Sequence, residues 1–137
     1  MTMPQPPKHD PARRNARVGP VLLPAEGRKG EPPVWPLPGK MSGAEREAWA
    51  QLWATPQAVA WEQMGWTRTV ARYCRVMVAA EKTDATAALL AQVTALEDRL
   101  GLTPKSMRLL LWQIASDEVG VQREKSQGAR DRIKAVG

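Results

Sequence analysis

Ten of the twelve prolines lie before residue 41, and this asymmetry decides where the chain can be helical. Each pyrrolidine ring fixes φ and removes a backbone donor, so residues 1–41 cannot run as a helix. The reading is a disordered stretch over 1–20, followed by an extended, partly polyproline segment over 21–41. Within that segment Trp35 stands in Pro32-Pro33-Val34-Trp35-Pro36-Leu37-Pro38, where a large aromatic is expected to pin the arm onto a folded body. The arm carries Lys8, Arg13, Arg14, Arg17, Arg28, Lys29 and Lys40 against Asp10, Glu26 and Glu31. Most of the chain's net charge of +6 therefore sits in it.

Beyond the arm the pattern turns helical. Ser42-Gly43-Ala44-Glu45 has the spacing of a capping box, which satisfies orphan amide donors at a helix start. The helix that follows puts Trp49, Leu52 and Trp53 on one stripe and stops before Thr55-Pro56. A short second helix is expected with Thr55 as N-cap and Pro56 at the first helical position. Val59, Trp61 and Met64 supply its buried face, and Gly65 its left-handed end. A third helix spans about 67–82 and a fourth about 84–100, closing at Gly101. Thr103-Pro104 opens a fifth that runs to about Ala115. No useful apolar/polar alternation appears, so strands are not expected. Residues 116–137 read as a solvated, flexible tail with nearly balanced charge. The fold class is all-α. Helix-turn-helix-like helices over 42–82 precede an antiparallel helical hairpin over 83–115, flanked by the arm (1–41) and the tail (116–137).

Composition narrows the function classes. A chain of 137 residues is about the size of one domain. One cysteine, Cys74, excludes an intrachain disulfide and a multi-cysteine zinc site, and fits a reducing compartment. The single histidine, His9, falls in the proline-rich arm and leaves no basis for histidine catalysis or metal ligation. There is no apolar run near the ~20 residues that span a bilayer, and no secretory leader. Neither a Gly-rich phosphate loop nor a serine-elbow pentapeptide is present. The expectation is a non-catalytic protein without cofactor, metal or membrane association, and its basic balance points to an acidic partner.

Two constellations stand out. On the third helix Arg68, Arg72, Arg75 and Lys82 fall within roughly 80° of one another, while Val70, Cys74 and Met77 point the other way. A basic stripe backed by an apolar one suits a helix that packs on its own domain and meets phosphates with its outer face. The second helix, the Gly65 turn and this third helix have the proportions of a helix-turn-helix. Arg28 and Lys29 extend the candidate DNA-contact set into the arm. On the fourth helix Leu89, Val93, Leu96 and Leu100 form a heptad-like seam, faced by Met107, Leu110, Leu111 and Ile114 of the fifth. That seam can be intrachain core or a subunit interface, and association commonly stabilises so small a core. The tryptophans at helical spacing read as core, and Cys74 as an inert buried thiol.

Several runs resemble a known family. Leu23-Pro24-Ala25-Glu26-Gly27-Arg28-Lys29-Gly30 with Trp35-Pro36-Leu37 is similar to the arm that precedes the helices in small terminase subunits of tailed actinobacterial phages. Trp53-Ala54-Thr55-Pro56-Gln57-Ala58-Val59-Ala60-Trp61-Glu62 resembles the same proteins, as do Arg72-Tyr73 and Leu96-Glu97-Asp98-Arg99-Leu100-Gly101-Leu102-Thr103-Pro104. The likeness covers about residues 20–118. It implies a helical, ring-forming homo-oligomer in the host cytoplasm. Such a protein engages double-stranded viral DNA and delivers it to a separate large terminase subunit that holds the ATPase and nuclease. It implies no DNA-contact position residue by residue, so the arginines above rest on helical geometry alone. Two other readings share these residues: a dimeric helix-turn-helix transcription regulator, and a helical adaptor that binds only protein through the Pro-Trp segment or the tail.

Overall fold

A computed structural model describes residues 2–4, 19–116, 128–130 and 132–133. The expectations for 1–20 and 116–137 fall largely outside these residues. In chain order the elements are β1 (Val21–Leu23), α1 (Gly43–Trp53), α2 (Gln57–Met64), α3 (Thr67–Ala80), α4 (Ala87–Arg99), α5 (Pro104–Leu109) and β2 (Trp112–Ile114). Among the described residues the chain is thus mostly helical with one short strand pair.

The helix boundaries follow local chemistry. Ser42 Oγ accepts from the Glu45 amide while the Glu45 carboxylate accepts from the Ser42 amide, at 3.1 Å each, closing the capping box of α1. Gly65, at φ +71°, ends α2. The Trp66 amide donates to the Trp61 carbonyl and the Gly65 amide to that of Glu62, the paired bonds of a Schellman end. Thr86 caps α4 and Thr103 caps α5, the latter with Ser106 in a reciprocal box. Thr55 does not cap α2: its hydroxyl donates 2.7 Å back to the Leu52 carbonyl, and Pro56 takes the N-cap position. The buried face of α2 is also rotated from expectation. Gln57, Ala58, Ala60 and Trp61 are buried, whereas Met64 is exposed.

The strand pair corrects the all-helical reading. β1 and β2 run parallel with Val21 opposite Trp112 and Leu23 opposite Ile114. The Val21 amide donates to the Leu111 carbonyl and the Ala115 amide to that of Leu23, both at 2.8 Å. Parallel strands need a long crossover, and here the five helices supply it. Two such strands are marginal alone; burial of Leu23 and Trp112 in the core holds them together. Three residues per strand is too short to show alternation in a sequence. This pairing also cuts the fifth helix short, so α5 ends at Leu109 rather than near Ala115, and Leu111 takes a positive φ of 60° to turn into β2.

α4 and α5 touch across the short connection at 100–103, with α5 only six residues long. α4 packs chiefly along α3, antiparallel across the turn at 81–86. The α4 seam turns inward: Leu100 is 1% exposed, Val93, Leu96 and Leu110 pack on the core, Leu89 is half-buried, and Leu111 lies exposed.

The core is built around tryptophan. Trp35, Trp49, Trp53 and Trp61 form a ladder of edge-to-face contacts with centroids 4.9, 5.5 and 5.8 Å apart. Each such pair contributes about 0.5–1.5 kcal/mol beyond its burial. The ladder crosses from the proline-rich arm through α1 to α2, so Trp35 does pin the arm. Trp49 Nε1–H donates 2.9 Å to the Pro33 carbonyl, and Trp61 Nε1–H donates 2.8 Å to that of Leu100. Among the described residues the buried Nε1 atoms of Trp35 and Trp53 have no hydrogen-bond partner. Trp66 lies 6.2 Å from Trp112 in a second, smaller pair.

Gly101 shows how tightly this core closes. Its φ is +73°, and a Cβ there would overlap the Trp112 ring. Gly101→Ala combines the strain of a left-handed alanine with overpacking of a ring that has little room to move. A loss of about 2–4 kcal/mol in stability is expected, read as a lower urea midpoint with an unchanged denaturant slope. A midpoint equal to that of the unsubstituted chain would show that Trp112 can shift freely.

Candidate nucleic-acid interface

α3 owes its orientation to four buried side chains, Val70, Ala71, Tyr73 and Cys74. Burial raises the Tyr73 phenol pKa well above its usual range, and the Glu97 carboxylate beside it on α4 adds to the effect. Burial likewise pushes the Cys74 thiol up to about 11, with the nearby negative charge of Glu45 adding to it. Its Sγ lies 3.4 Å from the Glu45 carbonyl oxygen, as suits an unreactive buried thiol. With this face fixed inward, Arg68 and Arg72 emerge on the outer face one turn apart, both exposed. Among the described residues neither makes an ion pair or a side-chain hydrogen bond.

Arg75 shares their stripe but is held within the chain. Its Nε donates 3.1 Å to Glu45 Oε2, its Nη2 donates 3.4 Å to the Pro38 carbonyl, and its guanidinium lies 5.2 Å from the centre of the Trp35 ring. The Ser42 amide is the main cause holding the Glu45 carboxyl below the usual carboxylate range; Arg75 adds to it and partial burial opposes it. Arg28 makes an equivalent clasp further along the arm. Its Nε donates 2.9 Å to Glu62 Oε2 and its Nη1 3.0 Å to the Glu31 carbonyl, with its guanidinium 5.5 Å from the Trp53 ring centre. Arg28 keeps the Glu62 carboxyl ionised to lower pH than usual. Gly27, at φ +82°, lets the arm turn so close to α1 that a Cβ would overlap the Ala54 carbonyl.

The structure therefore divides the six cations expected at a DNA surface. Arg68, Arg72, Lys29 and Lys82 are exposed, with Lys82 in the turn after α3. Arg28 and Arg75 clip the arm to the helices, each with a carboxylate on one side and an indole face on the other. Sequence reasoning placed Glu45 in its capping box but gave no sign of this second bond. No family model matches the chain, and neither does any curated protein or solved structure.

The geometry also bears on what chemistry the surface can do. Two guanidinium groups one turn apart stand about 6 Å from each other along the helix axis, and each fork can bond a phosphate bidentately. α2 and α3 follow one another across the two-residue Gly65-Trp66 turn. Among the described residues no group of three or more His, Cys, Asp or Glu side chains could hold a metal ion. No helix among them is long and apolar enough to cross a membrane.

Proposed function

We propose that this chain is a non-catalytic small terminase subunit. In this reading copies of it assemble on double-stranded viral DNA in the host cytoplasm, as a ring, and hand that DNA to the large subunit for packaging. The observation that carries the DNA-binding part is the pair Arg68 and Arg72. They are uncommitted cations on the outer face of the second helix of a helix-turn-helix arrangement, while the neighbouring Arg75 is spent on Glu45 and Trp35. The packaging part draws on the resemblance of residues 20–118 to such subunits.

The mechanism is electrostatic. Each subunit offers few phosphate contacts, so a single copy binds weakly, and assembly multiplies those contacts on one duplex. The protein-only adaptor reading is less well supported, because the Pro-Trp segment that would serve as its docking peptide is already packed on Trp49.

Titration of a duplex against the protein at a series of salt concentrations tests the proposal. Affinity is expected to fall linearly on a log–log plot, with a slope near −0.9 for each phosphate neutralised. A flat response, or no binding at low salt, refutes it. Mass measurement on the complex separates the remaining alternative: a closed ring supports packaging, and a dimer on a palindromic site supports a transcription regulator.

A further inference from the structure

Arg75 lies on the same outer stripe of α3 as Arg68 and Arg72, one turn beyond Arg72, with its side chain 42% exposed. α3 carries no acidic residue of its own, so the carboxylate that meets Arg75 comes from α1. Glu45 divides its two oxygens between two tasks. Oε1 accepts from the Ser42 amide and closes the helix cap, while Oε2 accepts from Arg75 Nε, both at 3.1 Å. With its side chain only 13% exposed, this carboxylate is held in place. The Pro38 carbonyl, 3.4 Å from Nη2, and the Trp35 ring complete the seat. A fixed anionic oxygen against a guanidinium fork is what a DNA phosphate also offers an arginine.

We infer that Glu45 is an autoinhibitory contact: its carboxylate takes the place of a DNA phosphate and withholds Arg75 from the surface formed by Arg68 and Arg72. The inference rests on the DNA reading above and names how that site is held back. Glu45 belongs to the same folded chain, so it meets Arg75 at a high effective concentration that a single competing phosphate does not match. In the unsubstituted protein Arg75 therefore stays on Glu45, and each subunit grips DNA with two guanidinium groups of α3 instead of three. The exposed charges nearest in sequence to the partners of Arg75 are Lys40, Arg46 and Glu47. Without the Glu45 charge this end of the stripe is net positive and attracts an anion.

Arg75 also closes the arm onto α3 through Pro38 and Trp35. Seating of the arm and grip on DNA thus draw on one guanidinium, and each weakens the other by the same factor. A lone subunit is kept a weak binder, which leaves strong binding to assembled copies.

Glu45→Gln isolates the effect. Glutamine serves a capping box as glutamate does. Its oxygen keeps the Ser42 amide, and its NH2 group then faces Arg75, donor against donor. The probe is a short mixed-sequence DNA duplex, titrated with the full chain by fluorescence anisotropy over a salt series. Glu45→Gln is expected to bind roughly tenfold more tightly, with a salt slope steeper by about 0.9 for each engaged subunit. Glu47→Gln makes the same change in net charge and is expected to leave the slope as it was. Adding Arg75→Ala to Glu45→Gln is expected to remove the gain, as a direct coupling of the two side chains requires. Arg75→Ala alone, which leaves the cap of α1 intact, is expected to keep the original slope. The inference is overturned by a Glu45→Gln variant no different from Glu47→Gln, by a gain that survives Arg75→Ala, or by a shallower slope in Arg75→Ala alone. Binding that depends on Arg68 and Arg72 but not on Glu45 sinks this inference and spares the DNA reading. A chain that binds no duplex in any form sinks both.

Discussion

Trp61→Ala is expected to lower the stability of the chain by about 4–8 kcal/mol. Trp61 is fully buried, lies edge-on to Trp53 at 5.8 Å, and donates its indole proton to the Leu100 carbonyl at 2.8 Å. It thereby joins α2 to the end of α4, two elements far apart in sequence. Truncating a buried tryptophan costs about 3–5 kcal/mol. The Leu100 carbonyl, left buried and unpaired, costs roughly 1–3 kcal/mol more. A domain of this size has about 5–15 kcal/mol in all, so roughly half of the stability is removed. Circular dichroism against urea is the measurement. Trp61→Phe keeps most of the ring and loses the hydrogen bond, so it should fall between the two. A Trp61→Ala variant that melts with the unsubstituted chain would place the core elsewhere.

The second large effect concerns DNA. Arg68→Ala with Arg72→Ala removes the two uncommitted guanidinium groups of α3. With each contact contributing about 1.4 kcal/mol, a factor of ten apiece, affinity falls roughly a hundredfold per engaged subunit. The salt slope should become shallower by about two for each such subunit. Stability should hardly change, because both side chains are exposed and unpaired among the described residues. Arg75→Ala should do the reverse. It frees the arm from Glu45 and Trp35, lowering stability while the salt slope of the folded protein stays near its original value. Should the double variant bind with the original slope, the phosphates are met by other cations, and Lys29 and Lys82 are the first to replace next.

The comparison of Arg72 with Arg75 shows how much of this surface is readable without the fold. Both lie on one stripe by helical angle, and nothing nearby in the chain distinguishes them. The partners that consume Arg75 are 30 residues away at Glu45 and 37 away at Pro38; the partner of Arg28 is 34 away at Glu62. Ion pairs at such separations leave no local signature, unlike the i, i+4 pairs of a single helix. The seam on α4 shows the same limit in packing terms. Periodicity finds an apolar stripe over Leu89, Val93, Leu96 and Leu100. It does not say whether the neighbour is α3 of the same chain or a helix of another copy. The β1–β2 pair was illegible for a further reason, since three residues are too few to reveal a period of two.

What the sequence by itself determined were the features that depend on a residue and its near neighbours. Proline stereochemistry kept residues 19–41 out of helix, and the Ser42 and Thr103 caps and the glycine at 65 marked helix ends. The spacing of Trp49, Trp53 and Trp61 marked a core. These hold because backbone dihedrals and end-group hydrogen bonds are satisfied within about one helical turn. Tertiary structure alone decided which arginines stay free, which side of α4 is covered, and that the ends of the helical body meet in a parallel strand pair. Those outcomes depend on which distant groups share a low-dielectric contact, and a linear chain does not record that proximity.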